Sequence, residues 1–454
     1  MEIYRNNILS ETILKELVSY ALELIKSYNK NYLCFVSIHQ NNGINITVRS
    51  GLLEYLEFNN DLILSITVYH NYKKSTVSSS DLSLHSVKLT IEKAVELVKY
   101  TSEDDCHILP DINLIATDHH DLQLYYPCTI NIADVIFYTK NLEKIALKQD
   151  NRIINSEGAS FCSHIHTIVL GNNYGLFNSY KHSIHSLSVS VIAQDKKNTN
   201  VMERDYCYTT AREFNDLKDI KIVGKMASER AISRLNAQKI LTKKVPILFS
   251  SELSSSFFSH FIYSITGSNI HRQNTCLLNC LGKKIFPSWL NIVDNPHINK
   301  GLGSKPFDFE GVKTKKYNII KDGILKTWLL DTYFSKKLNL YSTGHSGGIH
   351  NWIISGARQS IFSLKALLKF MYRGVYITEL MGDGVNLITG DYSRGAVGFW
   401  VENGSIQYPI SEITISSNLK DMWKNIIAIG TDSDLDKQIR CGSILLSEIQ
   451  VSGK

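Results

Sequence analysis

The sequence predicts an α+β protein of several domains, with N-terminal α/β units followed by a larger C-terminal domain built on a mixed sheet. Three observations predict it. A chain of 454 residues is too long for one ordinary core. Apolar residues recur at helical spacing in some windows and alternate with period two in others. A strand-then-helix order appears twice before residue 240, and beyond it the chain turns to helices, glycine-marked loops and hairpins. The expected domains are residues 1–118, 119–240 and 241–454.

Ser10 is placed to cap a helix whose inward stripe is Ile13, Leu14, Leu17, Val18, Ala21, Leu22 and Ile25. Tyr32 to Ile38 reads as a buried strand. Ile44, Ile46 and Val48 alternate, as do Leu62, Leu64, Ile66 and Val68, which predicts a meander packed on that helix. The serine-rich "STVSSSDLS" reads as a turn, and a second helix is expected from about Ser86 to Tyr100. In the next unit, Ile130 to Lys148 is expected to be helical, residues 151–195 to supply strands, and Ile222 to Leu235 to form another helix. The last unit opens at "LTKKVPILFS". Asp322-Gly323 and Asn403-Gly404 mark tight hairpins, the second joining Gly398–Val401 to Ile406–Ile410. The preceding Gly382 to Gly398 stretch, which includes Gly390, Asp391, Tyr392, Ser393, Arg394 and Gly395, reads as a glycine-rich loop in which Asp391 and Arg394 pair with each other.

The formal net charge of +6 is spread without a basic block, so nucleic-acid binding is permitted but not indicated. The N-terminus lacks a basic segment followed by an apolar core, and no apolar run approaches the ~18 residues a membrane helix needs. The expected location is the cytoplasm, with no membrane partner. The eight cysteines are scattered, and Cys276 with Cys280 is not a zinc-ribbon spacing, so most should be buried thiols. His-Glu-x-x-His, Gly-x-Ser-x-Gly and Walker motifs are all absent. Histidines come in sets: His119 with His120, His164 with His166, His182 with His185, and His345 with His350. The last two flank a Gly-Gly turn able to bring the rings together. For each set, a hydrogen-bonded histidine is preferred over a metal ligand.

The segments "STGHSGGIHNW", "ITELMGDGVNLITGDYSRGAVGFWVENGSIQYPISEITISSNLKDMW" and "RCGSILL" closely resemble the C-terminal part of the TldD/PmbA family of bacterial cytosolic proteins. "NSEGASF", "MERDYCYT" and the run from "HRQNTC" to "KDGIL" extend the resemblance over nearly the whole chain. The resemblance implies a heterodimeric zinc metalloprotease that trims unfolded polypeptides or peptide precursors, including microcin-type precursors and an antitoxin. In the TldD type, a helix bearing His-Glu-x-x-x-His and a cysteine near the C-terminus hold the zinc; the TldE type lacks the helix motif.

This sequence resembles the TldE type. The corresponding helix is expected within residues 250–269, where His260 has no Glu beside it and no second His one turn on. Cys441 matches the ligand cysteine but lacks co-ligands. His260, His345, His350 and Cys441 are therefore vestigial or alternative metal candidates. No catalytic residue and no cofactor are expected in this chain, and zinc is expected in a TldD-type partner. Residues Gly390 to Gly395 are expected to serve the subunit interface or the substrate path. Two alternatives are an autonomous metalloprotease and, from older family names, a non-enzymatic modulator of DNA gyrase or of an RNA-binding regulator.

Overall fold

The computed structural model describes residues 8–117, 121–356 and 361–453. His119 and His120, and the domain boundary expected between 118 and 119, lie outside these. The first elements are α1 (Glu11–Tyr28), β1 (Leu33–Arg49), β2 (Leu52–His70), β3 (Lys73–Ser79) and α2 (Leu84–Leu97). Then follow α3 (Ile132–Leu147), β4 (Ile153–Asn172), β5 (Phe177–Gln194), β6 (Met202–Ala211) and α4 (Ile220–Ser233). Ser10 accepts the Ile13 N–H at the start of α1, and Leu14, Val18, Ala21 and Ile25 are buried.

One antiparallel sheet, ordered β3-β2-β1-β4-β5-β6, carries all these strands. β1 is continuous where shorter strands were expected, so its two ends serve two cores. Cys34, Val36 and Ile38 pack under α1 and α2, whereas Ile44, Ile46 and Val48 join the core of α3 and α4. Buried Gln40 and Asn42 occupy the same strand face between these apolar clusters. "STVSSSDLS" is not simply a turn. Ser75 to Ser79 pair with β2 as an edge strand, and Ser75 Oγ donates to the Ala94 carbonyl of α2 at 2.6 Å.

On the opposite face of this sheet, His164 and His166 lie side by side with ring centroids 6.3 Å apart, and His166 stacks on His182 at 4.6 Å. His164 bonds Asn41 and Asn45 through its two ring nitrogens. Burial is the main cause holding His166 down to about 4, so this row is neutral at pH 7. His185, three residues from His182, faces the other way and bonds Ser163 and the Tyr126 carbonyl.

The chain continues through β7 (Lys243–Phe249), α5 (Ser251–Ser264), α6 (Gly267–His271), β8 (Asn291–Asn295), β9 (Tyr317–Lys321), β10 (Ile324–Leu325), α7 (Thr332–Lys337) and β11 (Asn351–Ser355). It ends with β12 (Ile361–Phe362), α8 (Leu364–Met371), β13 (Gly374–Met381), β14 (Asp391–Glu402), β15 (Ser405–Asn418), α9 (Leu419–Lys424), β16 (Ile426–Gly430), β17 (Ile439–Arg440) and β18 (Ile444–Ser452). A mixed sheet runs β12-β16-β18-β15-β14-β13-β7, and a further β18–β7 pairing closes five of its strands into a ring. A second sheet runs β10-β9-β8-β11-β17. Both expected hairpin turns are present, with Asp322, Gly323, Asn403 and Gly404 at positive φ. Helix α5 lies between the two sheets. Its Phe257, Phe258 and Phe261 belong to a core shared with Phe249, Phe286, Trp352 and Trp423. No described helix is long and apolar enough to cross a membrane.

Candidate functional site

Strand β8 alternates, and its inward residues are Ile292 and Asp294. Asp294 is fully buried, which an isolated carboxylate does not tolerate. Its partners come from the loop before β11. Oδ2 accepts from His345 Nε2 and from His350 Nδ1, each at 2.8 Å, and Oδ1 accepts from the His350 backbone N–H at 3.0 Å. Burial pushes Asp294 upward, but the hydrogen bonds from His345 and His350 outweigh it and hold the carboxyl below its usual range. Burial pushes His350 down toward its neutral form, and a ring nitrogen of each histidine donates to the carboxylate. The ring centroids are 5.1 Å apart. The Gly-Gly turn thus brings His345 and His350 together, and Asp294 is the residue that sequence reasoning missed. Its signal was an acidic residue in phase with an inward isoleucine.

The loop itself is held by Asp308, whose carboxylate accepts the backbone N–H groups of Glu310, Val312 and Ser346 at 2.9–3.0 Å. Lys305 Nζ donates to the Gly347 carbonyl. Gly347 sits at φ +86, and a Cβ there would stand 2.3 Å from the Phe309 ring. Gly347→Ala is expected to cost about 2–3 kcal/mol. Gly348→Ala, at φ +95 with no atom within 4 Å of a Cβ, should cost less because only the backbone penalty applies. Thermal unfolding of the two variants checks this order.

Between this loop and α5 lies a cleft of about 420 Å³. Ser259, Ile262 and Tyr263 of α5 form one wall, and His345, Gly347 and Ile349 another; Asp331 and Gln438 add polar groups.

The other flank of α5 carries His260. Its ring meets Tyr392 edge-on at 6.1 Å, and Nε2 is buried without a partner. Burial, and then the Arg394 charge, push it toward the neutral form. Cys441 is buried, and its carbonyl accepts from Ser254 Oγ of α5 at 3.1 Å. Burial pushes the thiol far up, away from the thiolate a metal needs. Among the described residues, neither His260 nor Cys441 joins a group of three converging ligands, so this flank of α5 does not fit a zinc ion.

The stretch expected as a loop is one only as far as Gly390. Asp391 to Gly395 are the first rungs of β14, paired with Asn418 to Thr414 of β15. Asp391 and Arg394 therefore do not pair, because residues three apart on a strand face opposite sides. Asp391 instead accepts from Thr389 Oγ1 at 2.6 Å. Arg394 points to α5, where Nη1 donates to Ser256 Oγ at 3.3 Å and Nε is buried without a partner. Tyr392 is buried in the core, whereas Asp391 and Ser393 face outward.

The chain matches family models described as PmbA/TldA metallopeptidase domain 1 over residues 34–98, central domain over 125–235 and C-terminal domain over 242–453. It is 46% identical to the metalloprotease PmbA of Escherichia coli O157:H7 over 442 residues, covering 97% of this chain and 96% of that protein. It is 48% identical to a PmbA homolog of Buchnera aphidicola subsp. Acyrthosiphon pisum over 436 residues, 96% of each chain. Among solved structures, a putative modulator of DNA gyrase from Bacteroides thetaiotaomicron superposes with a TM-score of 0.91 at 26% identity, covering 98% of this chain and all of that one. TldE from Thermococcus kodakarensis shares the fold with a TM-score of 0.84 at 16% identity, over 96% of this chain and 100% of that one.

Proposed function

The chain belongs to the PmbA/TldD family of metallopeptidases, and from that membership we propose that it is the non-catalytic but required subunit of a heterodimeric zinc protease acting on unfolded polypeptides or peptide precursors. Its partner is a TldD-type chain that supplies the zinc. The observation that carries this reading is the composition of α5: His260 is its one histidine, and Glu252 is its one acidic residue, eight positions earlier. A zinc hydrolase needs ligands that converge on the ion and a base for the metal-bound water. His260, with neither beside it, supplies no such site.

In this reading the chain contributes to assembly and to holding substrate. The outward side of the segment from Gly382 to Gly395 is the subunit contact, since Ile388 is 56% exposed and Asp391 and Ser393 face outward. Ile388→Arg should then weaken association with the TldD-type subunit at least ~10-fold and lower proteolysis in proportion, and excess subunit should restore it. Normal assembly with lost cleavage would move this segment into the substrate path, and no effect on either would remove it from the interface. The overall reading is tested by co-purification. A stable complex that cleaves an unfolded peptide, with this chain alone inert, is the expected outcome; peptidase activity of the isolated chain would contradict it.

A further inference from the structure

We infer that Asp294, His345 and His350 form a binding site for a divalent transition metal of the zinc type, separate from the α5 flank. The donor set is one carboxylate and two imidazoles, which suits borderline ions such as Zn²⁺ and Co²⁺. All three residues are buried, and their ligand atoms lie within 4.8 Å of one another. An ion with bonds of about 2.0–2.2 Å separates neighbouring ligand atoms by about 3.4 Å. The two 2.8 Å contacts to Oδ2 therefore need to open by about half an ångström. The two imidazoles and the carboxylate already converge, and the ion takes the place of the two N–H protons now given to Oδ2, each ring keeping its proton on its other nitrogen as the neutral tautomer.

The surroundings have the features a metal site needs. His345 Nδ1 is tied to Thr343 Oγ1 at 2.8 Å, which orients Nε2 toward Asp294. The His350 backbone N–H holds the second carboxylate oxygen at 3.0 Å and reaches Oδ2 at 3.3 Å, which fixes the carboxylate beside the two rings. His345 also lines the cleft beside α5, which provides an entry path and a place for a fourth ligand. In the absence of an ion, two N–H donors satisfy the same oxygen, so protons and metal compete for the site. Affinity should fall as the medium becomes acidic.

The test uses the full chain, stripped with a chelator and titrated with Zn²⁺ by calorimetry and with Co²⁺ by visible absorption. One ion per chain is expected, with a dissociation constant below about 1 μM, the absorption bands of tetrahedral Co²⁺, and a raised melting temperature. His345→Gln and His350→Gln, checked for folding by circular dichroism, should each weaken binding at least ~10-fold. Cys106→Ser, in the other convergent group formed with Asp104 and Asp105, should not. Binding weaker than about 100 μM, an octahedral Co²⁺ spectrum, unchanged binding in the folded histidine variants, or loss of binding in Cys106→Ser would each overturn the site. The inference does not depend on the subunit reading: a metal-loaded chain that cleaves peptides alone would overturn that reading and leave this one standing.

Discussion

Asp294→Ala is expected to lower the stability of the chain by about 3–5 kcal/mol. Three N–H donors end on this carboxylate, from two imidazoles and one backbone amide. Truncation leaves them buried with nothing to accept them. For a chain of 454 residues the loss corresponds to a fall in melting temperature of about 3–5 °C. Asp294→Asn should lie between, because the amide keeps one acceptor but turns a donor toward donors. A change of less than about 1 °C in the alanine variant would show that the cluster is not a keystone.

The same cluster sets a pH dependence. Folding keeps His350 neutral, so its folded pKa lies below the unfolded value near 6.5. The unfolded chain then binds the extra proton first, and stability falls as pH drops below about 6.5. Asp294 has a depressed folded pKa, so its contribution is full above about 4 and is lost only in stronger acid. Denaturant unfolding between pH 7.5 and 4 should show this slope in the native chain. The slope should be reduced in His350→Gln.

The second large effect is expected at Arg212, which is 4% exposed at the end of β6. Its guanidinium donates to the Leu302 carbonyl at 2.6 Å, the Ser183 carbonyl at 2.9 Å and His182 Nδ1 at 2.9 Å, with longer contacts to the Gly301 carbonyl. These bonds stitch the six-stranded sheet to the C-terminal part of the chain. Burial pushes Arg212 down to about 10, so it is still charged at pH 7. Arg212→Met removes the donors while keeping much of the volume, and should cost about 3 kcal/mol. Arg212→Lys should rescue little, since one ammonium cannot reproduce the fork. Full rescue by Lys, or no loss with Met, would contradict the role.

Much of the architecture was legible because it is local. The α1 stripe repeats every three to four residues, and its Ser10 cap lies one position before the helix. Asn403-Gly404 demands the turn it forms. The serine-rich strand β3 was hidden because its residues lack an apolar alternation, and β2 organises it from outside. Asp391 and Arg394 suggested a pair only under the assumption of a turn, which strand pairing with β15 removes. At the candidate site, the Gly-Gly turn announced His345 and His350. Asp294 stayed unseen because its partners lie 51 and 56 residues further along. No periodicity carries a carboxylate's direction across that distance.

Hydrolysis by the partner, with this chain required but chemically silent, is tested most directly by turnover of an unfolded peptide in the reconstituted complex. The complex should lose all cleavage when the Glu of the TldD-type helix motif is replaced by Gln, and should keep it when His260→Ala and Cys441→Ala are introduced together here. Cleavage that survives the first change, or disappears with the second while the complex stays assembled, would place the catalytic chemistry in this chain.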